Sequence, residues 1–417
     1  MAYIDRYEAI EILDNRGYPT LKGRLYLKDK RFVELEIPSP LNSKKLKSLR
    51  DKDSRYLGYG MKKAAEIITN KITEKLKGVS VFRQAEIDQW LEEADNTEKK
   101  EILGVSTLLL VSLLTAKAGA LAYNLPLFKY LNYLYQSYFK EKLTISSLPS
   151  IILTLITTQK NSSNLIDFKE FYLLPSSSYS FDKSLEIATS IYHKLKETFR
   201  YRNIQTFISE SGGYMPHVFS NHDAFELILE TILKFDLKLG VNIHLGVKVD
   251  AEDLFLRSEY KIGENFQTYT KNEFYKYISE IIKSYYLLYI ENPFSISDDK
   301  NWKQLFSEFS NYLYIINTYI KESNEKILSE AIKEKKLNSM LIHLTDHPTL
   351  YSIFKTIFLA RKLNLSYIFA TELSETNQDF ISDLAVAVQS PLLKFGPPVK
   401  GEQIAKYNRL LEIQKEL

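Results

Sequence analysis

The chain has no cysteine among its 417 residues. This absence excludes disulfide bonds, thiolate metal sites and a cysteine nucleophile. Glycine is scarce as well: the chain has 14 glycines, about half of the usual share of roughly 7%. Mobile lids and loops that approach a ligand closely favour glycine, so the sequence offers few positions for them.

Neither charge sign is in excess, and no apolar run is long enough for a bilayer. The 55 basic and 52 acidic residues give a formal net charge of +3, which gives no reason to expect a nucleic acid or an anionic membrane as partner. The most apolar run, 102–116, ends at Lys117 and predicts a buried helix. Because residues 1–6 lack the apolar core of a signal peptide, we expect a cytoplasmic protein.

The N-terminal part combines strand and helix signals. The first forty residues alternate apolar and polar side chains and turn at 14–17, which predicts a small antiparallel sheet. Helical periodicity follows in 61–76 and 84–93. We therefore predict an α+β domain over residues 1–140.

Residues 141–417 alternate short apolar runs with amphipathic helical segments. One helix is predicted over 184–199, where Ala188 and Ile191 lie on a shared apolar face. Another is predicted to begin with a capping box at Ser220. Strand–helix alternation repeated on this scale is typical of a (β/α)8 barrel, so the predicted fold class is α/β.

Short motifs spread over the whole chain match one known family, in the family's order and at near-family spacing. They are Glu11–Thr20, Ser54–Gly58, Leu103–Ser106, Asp167–Phe171, Gly212–Pro216, Ile290–Pro293, Asp379–Val386 and Ile404–Asn408. From end to end, the chain resembles the enolases. The resemblance implies an N-terminal α+β domain capping a modified (β/α)8 TIM-like barrel over 141–417, with a site at the C-terminal ends of the strands.

The resemblance also implies a metal site that this chain has largely lost. Enolases interconvert 2-phosphoglycerate and phosphoenolpyruvate with a base and two Mg²⁺ ions, which three family carboxylates hold. Here Glu291 is the only surviving metal-ligand position, and Gly246 and Thr318 replace the other two. Because Mg²⁺ requires several oxygen ligands, we expect no cofactor. The alternative is weak Mg²⁺ binding, helped by the acidic loop 250–253.

The catalytic positions implied by the resemblance are also incomplete. His343 takes the place of the lysine base, a change known in the wider superfamily. Glu170 and Lys394 survive as residual catalytic positions, and Ser39 survives as a substrate-binding position. Glu372 stands where the family has an arginine that grips phosphate, which reverses a charge and removes a bidentate donor.

Three functions follow as hypotheses. The first is an enolase-like pseudoenzyme that binds or scaffolds and does not dehydrate 2-phosphoglycerate. The second is a divergent enzyme with His343 as base and Glu170, Glu291 and Lys394 as polar partners. The third is a weak but genuine phosphopyruvate hydratase that uses a rearranged metal site.

The resemblance further implies a homo-oligomer, because most enolases are dimers, and the alternative is an unknown protein partner. Neither nucleic acid nor a membrane is expected as partner. Ile10 replaces an arginine common at the family's interface, although the partner position survives as Glu402. That ion pair cannot form, so we expect an altered or weaker dimer.

Overall fold

The N-terminal domain begins with a three-stranded antiparallel sheet. A computed structural model describes residues 2–41, 45–158, 166–263, 267–320 and 325–417. The sheet consists of β1 (Ile4–Leu13), β2 (Pro19–Leu27) and β3 (Phe32–Ile37), in that order. Between β1 and β2, Asp14 Oδ1 accepts hydrogen bonds from the backbone N–H groups of Arg16 and Tyr18, and Gly17 supplies the positive φ of 77° that the turn requires.

Helices cover this sheet and form the rest of the N-terminal part. They are α1 (Lys62–Glu66), α2 (Thr73–Leu76), α3 (Gln84–Ala94), α4 (Val105–Tyr123) and α5 (Leu127–Phe139), with Ile67–Ile72 wound as a π-helix between α1 and α2. By length and composition α4 could cross a membrane, but 83% of its most apolar window is buried inside the fold. The burial of α4 agrees with the predicted core helix. The predicted domain boundary at residue 140 stays a prediction.

The rest of the described chain alternates strands and helices. The strands are β4 (Ser150–Ile151), β5 (Leu153–Thr157), β6 (Glu170–Pro175), β7 (Thr206–Ile208), β8 (Tyr214–Pro216), β9 (Ile243–Lys248), β10 (Phe255–Leu256), β11 (Glu259–Ile262), β12 (Gln267–Tyr269), β13 (Leu287–Glu291), β14 (Tyr314–Ile316), β15 (Ser339–Ile342), β16 (Ser366–Ala370) and β17 (Leu392–Lys394). The helices are α6 (Phe181–Tyr201), α7 (Asn221–Ile232), α8 (Lys271–Ser284), α9 (Asp299–Phe309), α10 (Glu325–Lys333), α11 (Leu350–Lys362), α12 (Phe380–Ala387) and α13 (Gly401–Glu416).

Eleven of these strands form one curled sheet, in the order β4-β17-β16-β15-β14-β13-β9-β6-β5-β8-β7. β4 pairs with β17, and β5, which follows after Ile152, pairs with β6, so the sheet returns on itself. β6 runs antiparallel to both β5 and β9, whereas β9 and β13 to β17 run parallel. The predicted α/β fold with a modified TIM-like barrel is confirmed.

Two predicted helices form around this barrel. α6 extends beyond the predicted 184–199 and buries Ala188 and Ile191 as expected. Ser220 caps α7, because its Oγ accepts from the backbone N–H of Asp223 at 2.9 Å. The side chain of Asp223 accepts from the backbone N–H of Phe219, one residue before the position that a reciprocal capping box requires.

The capping domain contacts the barrel at the start of α11. Asp88 Oδ2 accepts from the backbone N–H of Tyr351 at 2.9 Å, and Ser112 Oγ accepts from that of Leu350 at 2.9 Å. Glu92 Oε1 accepts from Thr349 Oγ1 at 2.6 Å. Side chains of α3 and α4 thus satisfy the N–H groups that a helix N-terminus leaves without partners. Asp88 is fully buried, and burial raises its pKa from 3.8 to about 7.

This raised pKa predicts a pH dependence of stability. The folded state binds a proton at Asp88 between about pH 4 and pH 7 that the unfolded chain releases. The free energy of unfolding therefore falls as pH rises through this window, by roughly 3 kcal/mol at most from pH 5 to pH 8. Urea unfolding at both pH values should show a smaller fall for Asp88→Asn than for the wild type.

The matched control is Asp5→Asn, which changes a partly exposed carboxylate on β1. This variant should keep the pH dependence of the wild type. An equal fall in Asp88→Asn and the wild type would contradict a carboxyl that is protonated in the folded state.

Candidate active site

Three charged side chains meet at one end of the barrel. Glu291 is the last residue of β13 and Lys394 the last of β17, whereas Glu170 is the first residue of the antiparallel β6. These positions lie at the same end because β6 runs in the opposite direction. Lys394 Nζ lies 2.5 Å from Glu291 Oε1 and 3.8 Å from Glu170 Oε2. The side chain of Glu291 is 1% exposed.

Two buried tyrosines complete the hydrogen bonding around Glu291. The Tyr289 hydroxyl donates to Glu291 Oε1. The Tyr172 hydroxyl lies 2.7 Å from Glu170 Oε2 and 3.2 Å from Glu291 Oε1. The two rings meet edge to face, with centroids 5.4 Å apart, and Lys394 Nζ lies 4.8 Å from the centroid of the Tyr172 ring. Glu291 Oε1 is therefore surrounded by donors from the chain itself.

The charges of this cluster stabilise one another. Burial raises the pKa of Glu291, but Lys394 and Lys248 outweigh it and hold the pKa below the usual value. Burial lowers the pKa of Lys248, but the negative charges of three carboxylates outweigh burial and raise this pKa above its usual value. They are Glu291, Glu170 and Asp250, the last of which lies 3.3 Å away. Burial and the carboxylates raise the pKa values of the tyrosine hydroxyls. The tyrosines thus stay neutral donors beside the ionised carboxylate of Glu291.

Gly246 has no room for a side chain. It pairs with Tyr289 on one side and Tyr172 on the other. A Cβ added at this glycine would lie 2.9 Å from Tyr289 Cβ and 3.2 Å from Leu174 Cδ1. An aspartate at this position, as the family pattern requires, therefore cannot enter unless β13 moves.

Thr318 and the acidic loop after β9 are also engaged. Asn292 Nδ2 donates to Thr318 Oγ1 at 2.7 Å and to Asp250 Oδ1 at 2.6 Å. Glu252 Oε2 accepts from the backbone N–H of Ile296, and Asp253 pairs with Lys169 at 3.4 Å. Each of these loop carboxylates thus already has a hydrogen-bond or ion-pair partner.

These residues do not fit the two-metal arrangement of the family pattern. Over the described ranges, no group of three or more His, Asp or Glu side chains is placed to hold one ion. Glu291 Oε2 is buried and has no hydrogen-bond partner in the part of the chain that the structure describes. One such oxygen is a single ligand, whereas Mg²⁺ requires a near-octahedral set.

His343 lies apart from the Glu291 cluster. It follows β15, and its Nδ1 lies 3.5 Å from Glu372 Oε1, which also accepts from Thr345 Oγ1 at 2.7 Å. Among the described residues, no ion pair or hydrogen bond joins His343 to Glu291 or Lys394. Of the predicted catalytic residues, the structure brings Glu170 and Lys394 together, and it places His343 Nδ1 near a different carboxylate without a hydrogen bond among the described residues.

Ser39 faces the interior of the capping domain. It is fully buried, its Oγ accepts from Arg50 Nη2 at 2.9 Å, and it lies within hydrogen-bonding distance of the hydroxyls of Ser48 and Ser106. The enolase resemblance also places substrate loops at 39–44 and 158–161, of which residues 42–44 and 159–161 lie outside the described ranges. The predicted substrate-binding role of Ser39 stays a prediction.

Sequence comparisons match the chain to one family along its length. The family model "Enolase, N-terminal domain" matches residues 4–131, and "Enolase, C-terminal TIM barrel domain" matches residues 145–417. The chain belongs to the enolase family. It is 31% identical to an enolase of Ehrlichia ruminantium over 99% of this chain and 96% of the relative. It is also 31% identical to an enolase of Wolinella succinogenes, over 100% and 97% of the two chains.

Family membership overturns the expectation about cofactors. Enolases normally require Mg²⁺, and the whole chain aligns with them. The expectation that the chain needs no cofactor is therefore wrong as an inference from sequence. The expectation rested on the absence of carboxylates at Gly246 and Thr318 and gave too little weight to the Mg²⁺ requirement of the family. The misfit of the described residues to a two-metal site is a separate structural observation.

Sequence reasoning missed three residues that shape the cluster: Tyr172, Tyr289 and Lys248. A signal for each was present, because side chains two residues apart on a strand point to the same face. Tyr172 lies two residues after Glu170, and Tyr289 two residues before Glu291. Lys248 lies two residues after Gly246. The period of two could therefore have placed all three in the barrel with the named site residues.

The expectation about a dimer stays a prediction. The Ile10 side chain is 59% exposed on β1. Glu402 accepts a hydrogen bond from Asn15 Nδ2 of the same chain at 2.7 Å. The carboxylate that the family uses at its interface thus has a partner within this chain.

The crowding at Gly246 predicts that any side chain at this position lowers the stability of the fold. Gly246→Ala should lower the free energy of unfolding by about 1–3 kcal/mol, because the new methyl group overpacks the barrel against Tyr289. Gly401→Ala is the matched control, because the nearest atom to its added Cβ is 3.4 Å away. Urea unfolding measures both. Equal stability of Gly246→Ala and the wild type would contradict the claim that Gly246 has no room for a side chain.

Proposed function

We propose that this enolase-family protein is a pseudoenzyme, which binds a ligand or a partner and does not dehydrate 2-phosphoglycerate at an enolase's rate. The observation that supports the proposal most is that residues of the same chain already contact the carboxylate of Glu291. Its Oε1 pairs with Lys394 and accepts a hydrogen bond from Tyr289, and a Cβ added at Gly246 would lie 2.9 Å from Tyr289 Cβ. One oxygen of the carboxylate that the resemblance assigns to metal is thus engaged by its own chain.

Substrate charge supports the same proposal. 2-Phosphoglycerate carries a phosphate and a carboxylate, and an anion is held best by forked or ammonium donors. Glu372 stands where the family has an arginine, and its Oε1 lies 3.5 Å from His343 Nδ1. A like charge at this place opposes the substrate. Losing one oriented electrostatic group commonly costs on the order of 10²–10³ in rate.

A second candidate is a divergent enzyme with His343 as general base. The observation that favours it is the carboxylate of Glu372, whose Oε1 lies 3.5 Å from Nδ1 of His343 without a hydrogen bond among the described residues. Catalytic hydrogen bonds are often long in structures without substrate, and a carboxylate near an imidazole is a common arrangement for a base. Glu170, Glu291 and Lys394 would be its residual polar partners. Their mutual pairing at 2.5 and 3.8 Å makes this candidate the weaker of the two.

The oligomeric state and the compartment belong to the same proposal. We propose a homodimer or a complex with another protein, located in the cytoplasm. The exposed Ile10 and the engaged Glu402 support a contact surface that differs from the family's arginine–glutamate pair.

An assay of phosphoenolpyruvate formation tests the proposal. The protein is incubated at high concentration with 2-phosphoglycerate and saturating Mg²⁺ or Mn²⁺, and product is followed by ³¹P NMR. We expect no turnover above that of His343→Ala, because the pocket lacks the charge arrangement that stabilises the doubly charged intermediate. The Wolinella succinogenes enolase serves as the positive control.

Turnover that disappears both on chelation and in His343→Ala would contradict the pseudoenzyme and support a genuine phosphopyruvate hydratase. The second candidate has its own readout. A small molecule that raises the melting temperature of the wild type, is chemically changed by it and is unchanged by His343→Ala would favour a divergent enzyme.

A further inference from the structure

A large cleft separates the capping domain from α11 of the barrel, away from the Glu291 cluster. Its volume is about 820 Å³. Glu92 and Lys99 line it from the capping domain, and His347, Tyr351 and Lys355 line it from the barrel. We call it the α3–α11 cleft. All of its lining residues lie within the described ranges.

His347 is a buried polar side chain that is incompletely satisfied. It is 1% exposed and lines the α3–α11 cleft. Its Nδ1 lies 3.3 Å from Ser352 Oγ, while its Nε2 has no hydrogen-bond partner among the described residues. Leaving a buried polar atom without a partner costs free energy, so native proteins rarely do it without a reason. If Ser352 Oγ donates to Nδ1, the ring proton lies on Nε2 and can be donated to a ligand.

The cleft also has an excess of unpaired positive charge. Lys45 pairs with Asp346 at 2.6 Å and Lys362 with Glu325 at 3.6 Å. The lysines of the lining that form no ion pair with any described residue are Lys99, Lys326 and Lys355. Most of the lining's carboxylates already have partners: Asp346 and Glu325 take lysines, and Glu92 accepts from Thr349 Oγ1 at 2.6 Å. Glu98 is the lining's remaining acid.

We propose that the α3–α11 cleft binds a small molecule through its phosphate group, with His347 Nε2 as hydrogen-bond donor and Lys99 and Lys355 as cationic partners. Lysine ammonium groups serve as point charges for phosphate, and a ligand oxygen would satisfy the buried imidazole nitrogen. The backbone N–H groups at the start of α11 play no part, because Asp88 and Ser112 already accept from them. This site is additional to the barrel pocket and does not depend on the proposed function.

Titration with inorganic phosphate tests the site. Binding is followed by ³¹P NMR line width on the full chain at constant ionic strength, with chloride replacing phosphate. We expect saturable binding to the wild type. Lys355→Gln should weaken it by about tenfold or more, because a hydrogen bond to a charged group contributes roughly 1.5–3 kcal/mol. Lys355 is exposed on α11, so this variant tests binding without disturbing the core.

Two control variants locate the effect. Lys283→Gln removes an exposed lysine that pairs with Glu308 and should bind phosphate as the wild type does. Lys394→Gln removes the barrel lysine and should also leave the affinity unchanged. His347→Phe should weaken binding while the far-UV circular dichroism spectrum stays that of the wild type.

Two results would overturn the proposal. One is the absence of saturable phosphate binding to the wild type. The other is binding that Lys394→Gln abolishes and Lys355→Gln leaves intact, because phosphate would then occupy the barrel pocket. This second result would also show that the barrel pocket binds an anion. The first result would leave the proposed function unaffected.

Discussion

The structure at the end of the barrel depends on one buried negative charge, that of Glu291. A carboxylate taken out of water is costly unless opposite charge and hydrogen-bond donors replace the solvent. Lys394 supplies the charge at 2.5 Å, Lys248 adds to it, and the hydroxyl of Tyr289 donates to the same oxygen. Glu291 is thus the centre of an internal ion-pair network.

Gly246 lies between the two tyrosine-bearing strands. Tyr172 and Tyr289 lie on the strands beside Gly246, and a Cβ added at Gly246 would lie too close to Tyr289 Cβ and to Leu174. The same rings carry the hydroxyls that contact Glu291. A carboxylate side chain at Gly246 would therefore require changes on neighbouring strands together, since cores tolerate overpacking poorly.

The fold was predictable from the sequence to a greater extent than the site. Motifs such as Glu11–Thr20 and Ile290–Pro293, in family order, were sufficient for the two-part architecture, and strand and helix periods placed most elements. Two features depend on side-chain directions that no local pattern specifies: the proximity of His343 to Glu372 and the burial of Ser39 against Arg50. Both join residues from different strands or loops, so they emerge only once the chain is packed.

A double-mutant cycle between Lys394 and Glu291 tests the central claim most directly. Lys394→Met, Glu291→Gln and the double variant are compared with the wild type by urea unfolding, and the exposed Lys283–Glu308 pair is the control. We predict a coupling of about 2–3 kcal/mol for the buried pair, and under about 1 kcal/mol for the exposed pair. A coupling near zero between Lys394 and Glu291 would contradict the account, because Glu291 would then be free to act on a ligand.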